Sequence, residues 1–374
     1  MPVPVDRVTL EAVDQNGSVF DAWTSFELRN TMIGGSHASF EVGDAGTYNA
    51  LEELTRLGSR FKVYVNDKPR LGGKVHTRQS PADAFRASVV QFIVRTFLSE
   101  AMVVSADPAV RVEETSIKDF ILAVYRTIGA TESDFVFEAD VARDLITGRA
   151  TKGGRSPTDL EPIKVDQARV RAPETVHAAV DRHLRRHGFM HWDGPDGKIV
   201  VGEPDDEQDP LYYLRLLRGE GAQNNVLSVN RTQDIGTAAT LLGVFGQGGG
   251  TEFSKAQFQS VEANEDLTNL GFIRPVLIID ESIRTEELAA RRARREMGQR
   301  SRSLDSWQIE ADGLSFRDGR EFIPYAPDTV CDILVETHGG AVGRYYVEAT
   351  QLRLDPHMGA KSSLTIVPPG SWRL

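Results

Sequence analysis

The sequence predicts a β-rich α+β protein: two small antiparallel β-barrel domains, an α+β domain between them, and a helical insertion. Three observations carry this. Strand-like alternation with hairpin turns fills the first hundred residues, and a helical period takes over between Ala106 and Arg218. The last ninety residues then run from an Arg-rich helical stretch, Thr285 to Arg302, into a module dense in strands and turns. At 374 residues, 40% hydrophobic and 26% charged, the chain exceeds what one core usually holds, so several domains are expected.

The first β-barrel domain is assigned to residues 1–104. Val8, Leu10 and Ala12 alternate with polar residues, Asn16-Gly17 signals a turn, and Phe26 and Leu28 resume the alternation. Ala38 to Val42 reads as a further strand and Leu51 to Leu57 as a short helix. Phe61 to Val65 turns at Asn66-Asp67 and returns through Gly72 to His76, with Arg86 to Val94 following. Short strands joined by tight turns suit a small barrel or sandwich.

Residues 105–222 are assigned to the α+β domain. Ser116 is the expected N-cap of a helix whose Ile117, Phe120, Ile121, Val124, Tyr125 and Ile128 share one face, with Gly129 ending it in a left-handed conformation. Asp144 to Asp166, rich in glycine and proline, reads as an irregular loop. A second helix is expected from Pro173, with Glu174 in its first turn, to Gly188. A hairpin follows, Phe189 to Trp192 and Lys198 to Val201, turning through Asp193 to Gly197. The second barrel is assigned to residues 223–250 and 303–374, because the strand-like stretches Val226–Asn230 and Ala238–Phe245 are too few to close a sheet alone. Residues 251–302 are left as the helical insertion.

Chemistry is sparse. The single cysteine, Cys331, sits in Thr329-Val-Cys-Asp-Ile-Leu-Val335 and reads as a buried strand thiol; it cannot form an intrachain disulfide. The first residues lack a basic start with an apolar run, and no window reaches the ~18 apolar residues of a membrane span. A net charge of −11 disfavours binding nucleic acid over the whole surface.

His183, His187 and His191 are spaced by four, with His177 upstream, so two imidazoles on one helical face could hold zinc. Gly188 should break that face, no Glu follows His183 as a helical zinc-protease motif requires, and Arg182, Arg185 and Arg186 oppose a cation. A solvated basic helix end, suited to the negative end of the helix dipole, is the preferred reading. Lys152-Gly-Gly154 and Gly246 to Gly250 lack the Lys-Ser/Thr pair of a phosphate loop. The arginines of 284–302 have no interleaved aromatics for stacking on bases and read as a solvated helix or one facing an acidic partner. No catalytic, cofactor-binding or metal-binding residue is assigned, no cofactor is expected, and no enzymatic activity is expected.

Four segments carry a family resemblance: Leu57-Gly-Ser-Arg-Phe-Lys-Val-Tyr-Val65 with Leu71-Gly-Gly73; Glu174-Thr-Val176 through Gly188 to Asp196-Gly-Lys-Ile-Val-Val-Gly202; Asn225 to Asn230 leading to Val244-Phe-Gly246; and the Arg-rich helix followed by Ser306-Trp-Gln-Ile-Glu310. In their order and spacing the chain resembles the late control protein D family and its Mu-like tail protein branch. These are hubs of contractile phage baseplates, related to the N-terminal part of type VI secretion spikes. The resemblance implies a homotrimer whose three chains present six barrels in a ring, joining a six-fold tail tube to a three-fold central spike. The implied partners are the tail tube protein, other baseplate proteins and a separate spike protein, since the chain stops at Trp372-Arg-Leu374 without a needle. A tape-measure protein or DNA would occupy the lumen. The implied location is the virion, at the tail baseplate, after assembly in the host cytoplasm. A headless tailocin particle needs the same joint, and a metal-dependent hydrolase using His177 to His191 is the competing reading.

Overall fold

The computed structural model describes residues 6–371 except 15–16, 22, 44–54, 81–88, 113–114, 138–168, 220–222, 248–255, 281–282, 284, 320, 337–340 and 356. Among its described residues the N-terminal region holds seven strands: β1 Val8–Ala12, β2 Ser18–Phe20, β3 Ser25–Thr31, β4 His37–Val42, β5 Arg60–Val65, β6 Lys68–Gln79 and β7 Val90–Arg95. All neighbours are antiparallel, in the order β3-β4-β7-β6-β5-β1-β2. The period-2 pattern sorts residues cleanly: Phe26, Leu28, Phe40, Phe61, Val63 and Phe92 point inward while their neighbours stay at the surface. Phe40 stacks on Phe92 at 5.1 Å between ring centroids, and Trp23 leans on Phe40 at 4.7 Å. Asn66 and Asp67 both take positive φ, 52° and 63°, the two-residue turn that strand twist favours. Most of the helix expected at Leu51 to Leu57 lies outside the described residues.

Among the described residues the middle region has three α-helices, α1 Phe97–Ala101, α2 Ile117–Tyr125 and α3 Val176–Leu184, and a three-stranded sheet of β8 Phe135–Val136, β9 Met190–Asp193 and β10 Ile199–Gly202. Ser116 caps α2 as expected, its Oγ accepting from Asp119 N–H at 3.1 Å, and Gly129 is left-handed at φ 81°. The second helix starts later than expected. Thr175 is its N-cap, accepting from Ala178 N–H at 3.2 Å, while Glu174 lies outside the helix and pairs with Arg182 at 2.7 Å. The 189–201 hairpin forms as expected, with Gly197 left-handed in its turn. A separate core of Phe120, Ile121, Val124, Val176, Val180 and Leu184 holds this region. The predicted 144–166 loop lies outside the described residues.

The C-terminal region comprises β11 Tyr212–Leu216, β12 Val226–Thr232, an inserted unit, and then β16 Ser306–Asp312, β17 Ser315–Asp318, β18 Glu321–Pro324, β19 Thr329–Val335, β20 Ala341–Asp355 and β21 Gly359–Val367. The inserted unit contains β13 Leu241–Gln247, β14 Ala256–Ala263, α4 Glu265–Asn269, β15 Pro275–Asp280 and α5 Glu286–Ser301.

Two expected boundaries move. β11, expected in the α+β domain, pairs in parallel with β19 and so belongs to the second β-region. The insertion, expected to be helical and to begin at 251, begins before β13 and contains a sheet of its own. β13 pairs with β14 and β15 rather than with the second β-region, whose β12 joins β16 directly across the insertion.

The two β-regions are fused. The long β20 pairs with β19 and β21, and its stretch Ala349–Leu354 also pairs antiparallel with Thr31–Phe26 of β3, so thirteen strands form one sheet. Their inward residues merge into one core in which Phe40 and Phe92 share a cluster with Trp307 and Ile309. Arg70, 1% exposed, crosses the seam and donates to the Pro324 carbonyl at 2.8 Å.

Candidate functional surfaces

The histidines expected to be solvated are mostly buried. His183 packs edge-on against Phe120 at 4.4 Å between ring centroids, and His177 lies against His191 at 4.4 Å. His191, on β9, is 3% exposed, and neither ring nitrogen has a hydrogen-bond partner among the described residues. Burial, then the neighbouring His177 and the positive charges of Arg295 and Arg185, holds its ring well below the ordinary imidazole value, so it is neutral. The α3 face is broken at Gly188, as the sequence indicated, but β9 folds back beneath the helix and brings His191 onto His177. Among the described residues no group of three His, Cys, Asp or Glu side chains is placed to hold a metal ion.

The Arg-rich helix α5 is not a solvated helix either. Thr285 caps it, and Ala289, Ala293, Arg295, Glu296 and Gly298 are buried. Its apolar side lies on the insertion sheet, with Ala289 and Ala293 against Leu242, Val244 and Ile283. Four of the described arginines pair within the chain here: Arg291 with Glu287, Arg292 with Glu296 at 2.7 Å, Arg294 with Glu262 at 3.7 Å, and Arg302 with Glu348 at 3.2 Å. Arg295 reaches Asp181 on α3 and donates to the Phe189 carbonyl. Side chains committed in this way cannot track a phosphate backbone. Cys331 is buried in β19, where burial pushes its thiol up and out of the reactive range.

Two surface features remain. An open cleft of about 1030 Å³ separates the insertion from the C-terminal tail, with Glu262, Glu265, Asp266 and Asp305 in its lining. The other is the face of the insertion sheet turned away from α5. Register places Leu241, Gly243 and Phe245 of β13 beside Val261 of β14 and Leu277 and Ile279 of β15 on that face. Leu277 and Ile279 are 69% and 72% exposed. The Pro275-Val-Leu-Ile-Ile-Asp280 run was the available signal for this strand, but continuous apolarity without alternation does not distinguish strand from helix.

No family model matches the sequence, and no curated protein matches it. Solved structures do. The tail protein from Neisseria meningitidis MC58 superposes with a TM-score of 0.73 at 14% identity, covering 99% of this chain and 98% of that one. The prophage MuSo2 43 kDa tail protein from Shewanella oneidensis gives 0.71 at 15% identity, over 98% and 99%. An E. coli type VI secretion component described as similar to the T4 tail proteins gp27 and gp5 gives 0.51 at 9% identity, over 96% and 76%. From end to end, this chain has the fold of phage tail proteins.

Proposed function

We propose that the chain is the structural hub of a contractile phage tail baseplate, a trimeric ring that joins the six-fold tail tube to the three-fold central spike. The observation that carries this reading is the end-to-end likeness to two phage tail proteins, with at least 98% of each chain covered in both directions. The fused sheet supports it. Two β-regions per subunit, tied through β20 and β3, would give a trimer six β-regions around an axis, the count that matches six-fold to three-fold symmetry. Its partners are then itself, the tail tube protein, a separate spike protein and other baseplate proteins, with a tape-measure protein or DNA in the lumen. Its place is the tail baseplate of the virion, after assembly in the host cytoplasm; a tailocin uses the same joint.

The hub carries no catalysis in this reading, and cell-wall hydrolysis by the purified chain, abolished by one carboxylate substitution, would overturn that part. The metal-dependent hydrolase retains one supporting observation, the contact of His177 with His191, and Arg295 and Arg185 oppose a cation there. Native mass spectrometry after incubation with zinc separates the two: a metal-free oligomer supports the hub, and a monomer holding one zinc lost on His191→Ala supports the hydrolase. Electron microscopy of the purified chain tests the ring itself. Three-fold particles with six units around a lumen are expected, and a monomer or two-fold dimer would refute the ring.

A further inference from the structure

We propose that the outer face of the insertion sheet, around Leu277 and Ile279, is a subunit contact occupied by a second copy of this chain. The inference rests on the ring-forming reading above and names the surface that makes the ring.

The face is apolar by construction. Strand alternation sends Leu242, Val244, Val276 and Ile278 toward α5 and leaves Leu241, Phe245, Val261, Leu277 and Ile279 on the other side. Register puts no ionisable side chain there: the remaining described positions on that face are Gly243, Gln259, Ala263 and Pro275. Glu262 points the opposite way, to Arg294 on α5. Ile273, just before β15, is 87% exposed. Leu241, Val261, Leu277 and Ile279 are 42% to 72% exposed and Phe245 is half-buried, an apolar area of the same order as the ~800 Å² per partner of a standard interface. A free surface rarely keeps so much contiguous apolar area.

Charge and symmetry select the occupant. At a formal charge of −11, copies of this chain repel one another, and a face without ionisable groups is where two of them can meet without desolvating like charges. A three-membered ring is closed by heterologous contacts, so the face must meet a different patch on the next copy. The second β-region carries one. The pairings of β11, β19 and β20 set Leu334 and Val342 side by side on one outer face, where Val342 is 74% exposed, with Arg215 of β11 next to Leu334 and the Asp332–Arg344 pair at 3.8 Å on the other side, between them and Tyr213. An apolar centre with a charged rim is how a subunit interface is arranged.

Sedimentation velocity and native mass spectrometry of the full chain test this with three variants: Leu277→Asp/Ile279→Asp, Leu334→Asp/Val342→Asp, and Leu57→Asp as an exposed control in the first β-region. The wild type and the control are expected as trimers and each double variant as a monomer, with unchanged circular dichroism. An equimolar mixture of the double variants is expected to form a dimer and nothing larger, because one complementary pair of patches survives between them. Double variants that stay trimeric would overturn this contact while leaving the ring intact. A monomeric wild type would overturn both and leave the face to a different protein. Should the first variant unfold, the second decides alone, since it remains a trimer only if the two patches do not meet.

Discussion

The Arg295 guanidinium lies 3.7 Å from the Asp181 carboxylate, with the two side chains 4% and 13% exposed, and the pair ties the insertion helix to α3 of the α+β region. Burial lowers the Arg295 guanidinium to about 10, with Asp181 acting against that shift, so the side chain stays charged at any working pH. Removing Arg295 takes one of two ion partners from Asp181, which also pairs with Arg185, and leaves the buried Phe189 carbonyl without its Arg295 donor. Arg295→Met should therefore cost on the order of 1–3 kcal/mol in a urea denaturation series, and Arg295→Met/Asp181→Leu should recover part of it. A single variant with wild-type stability would mean that the pair contributes nothing to holding the insertion in place.

Gly197 and Gly129 offer a controlled comparison, since both are left-handed, at φ 84° and 81°. A Cβ at Gly129 meets nothing within 4 Å, whereas one at Gly197 would fall 2.2 Å from the Cα of Gly72, where the β9–β10 turn presses on β6. Gly129→Ala should cost ~1–2 kcal/mol, the backbone penalty alone. Gly197→Ala must also push two backbones apart and should cost clearly more. Equal losses in thermal melts would show that the contact between turn and strand yields freely.

Cys331 is buried and its thiol is pushed up by burial, so the folded chain should resist a disulfide reagent that reacts fully in urea. Stoichiometric reaction within minutes under native conditions would contradict its position in β19.

The N-terminal strands were legible because half-buried antiparallel strands must alternate, and Val8 to Val94 does so with turn residues at the joints. The capped helix at Ser116 was legible for the same local reason. The environment of the histidines was not, because it is made by contacts distant in sequence. His191 is buried by β9 folding under α3 and by Arg295, more than a hundred residues away. The solvated Arg-rich helix failed likewise. Local composition reports six arginines, but only the tertiary fold supplies Glu262, Glu348 and Asp181 to receive them. The fusion of the two β-regions through β20 and β3 is equally non-local, and no periodicity announces which edge pairs with which.

Asp193 and His191, two residues apart on β9, should contribute opposite pH slopes to stability. The Asp193 carboxyl is pushed up from 3.8 to about 6, by burial first, although it accepts from Ser36 N–H at 2.7 Å and Thr96 Oγ1 at 2.9 Å. Its folded value lies above its unfolded one. Its stabilising contribution is therefore present below about pH 4 and is lost as pH rises toward 6, on the order of 3 kcal/mol across that window. His191 runs the other way. Its folded value lies well below 6.5, so its contribution is present above that pH and is lost as pH falls and the unfolded chain takes up the proton first. The wild type shows the sum, and single substitutions separate the parts. Asp193→Asn should raise the urea midpoint more at pH 7 than at pH 4. His191→Phe, which also removes two buried nitrogens without hydrogen-bond partners, should flatten the loss of stability below pH 6. Parallel pH profiles for all three proteins would mean that neither group titrates differently in the folded chain, and that the junction of β9 with the first β-region is wetter than its burial implies.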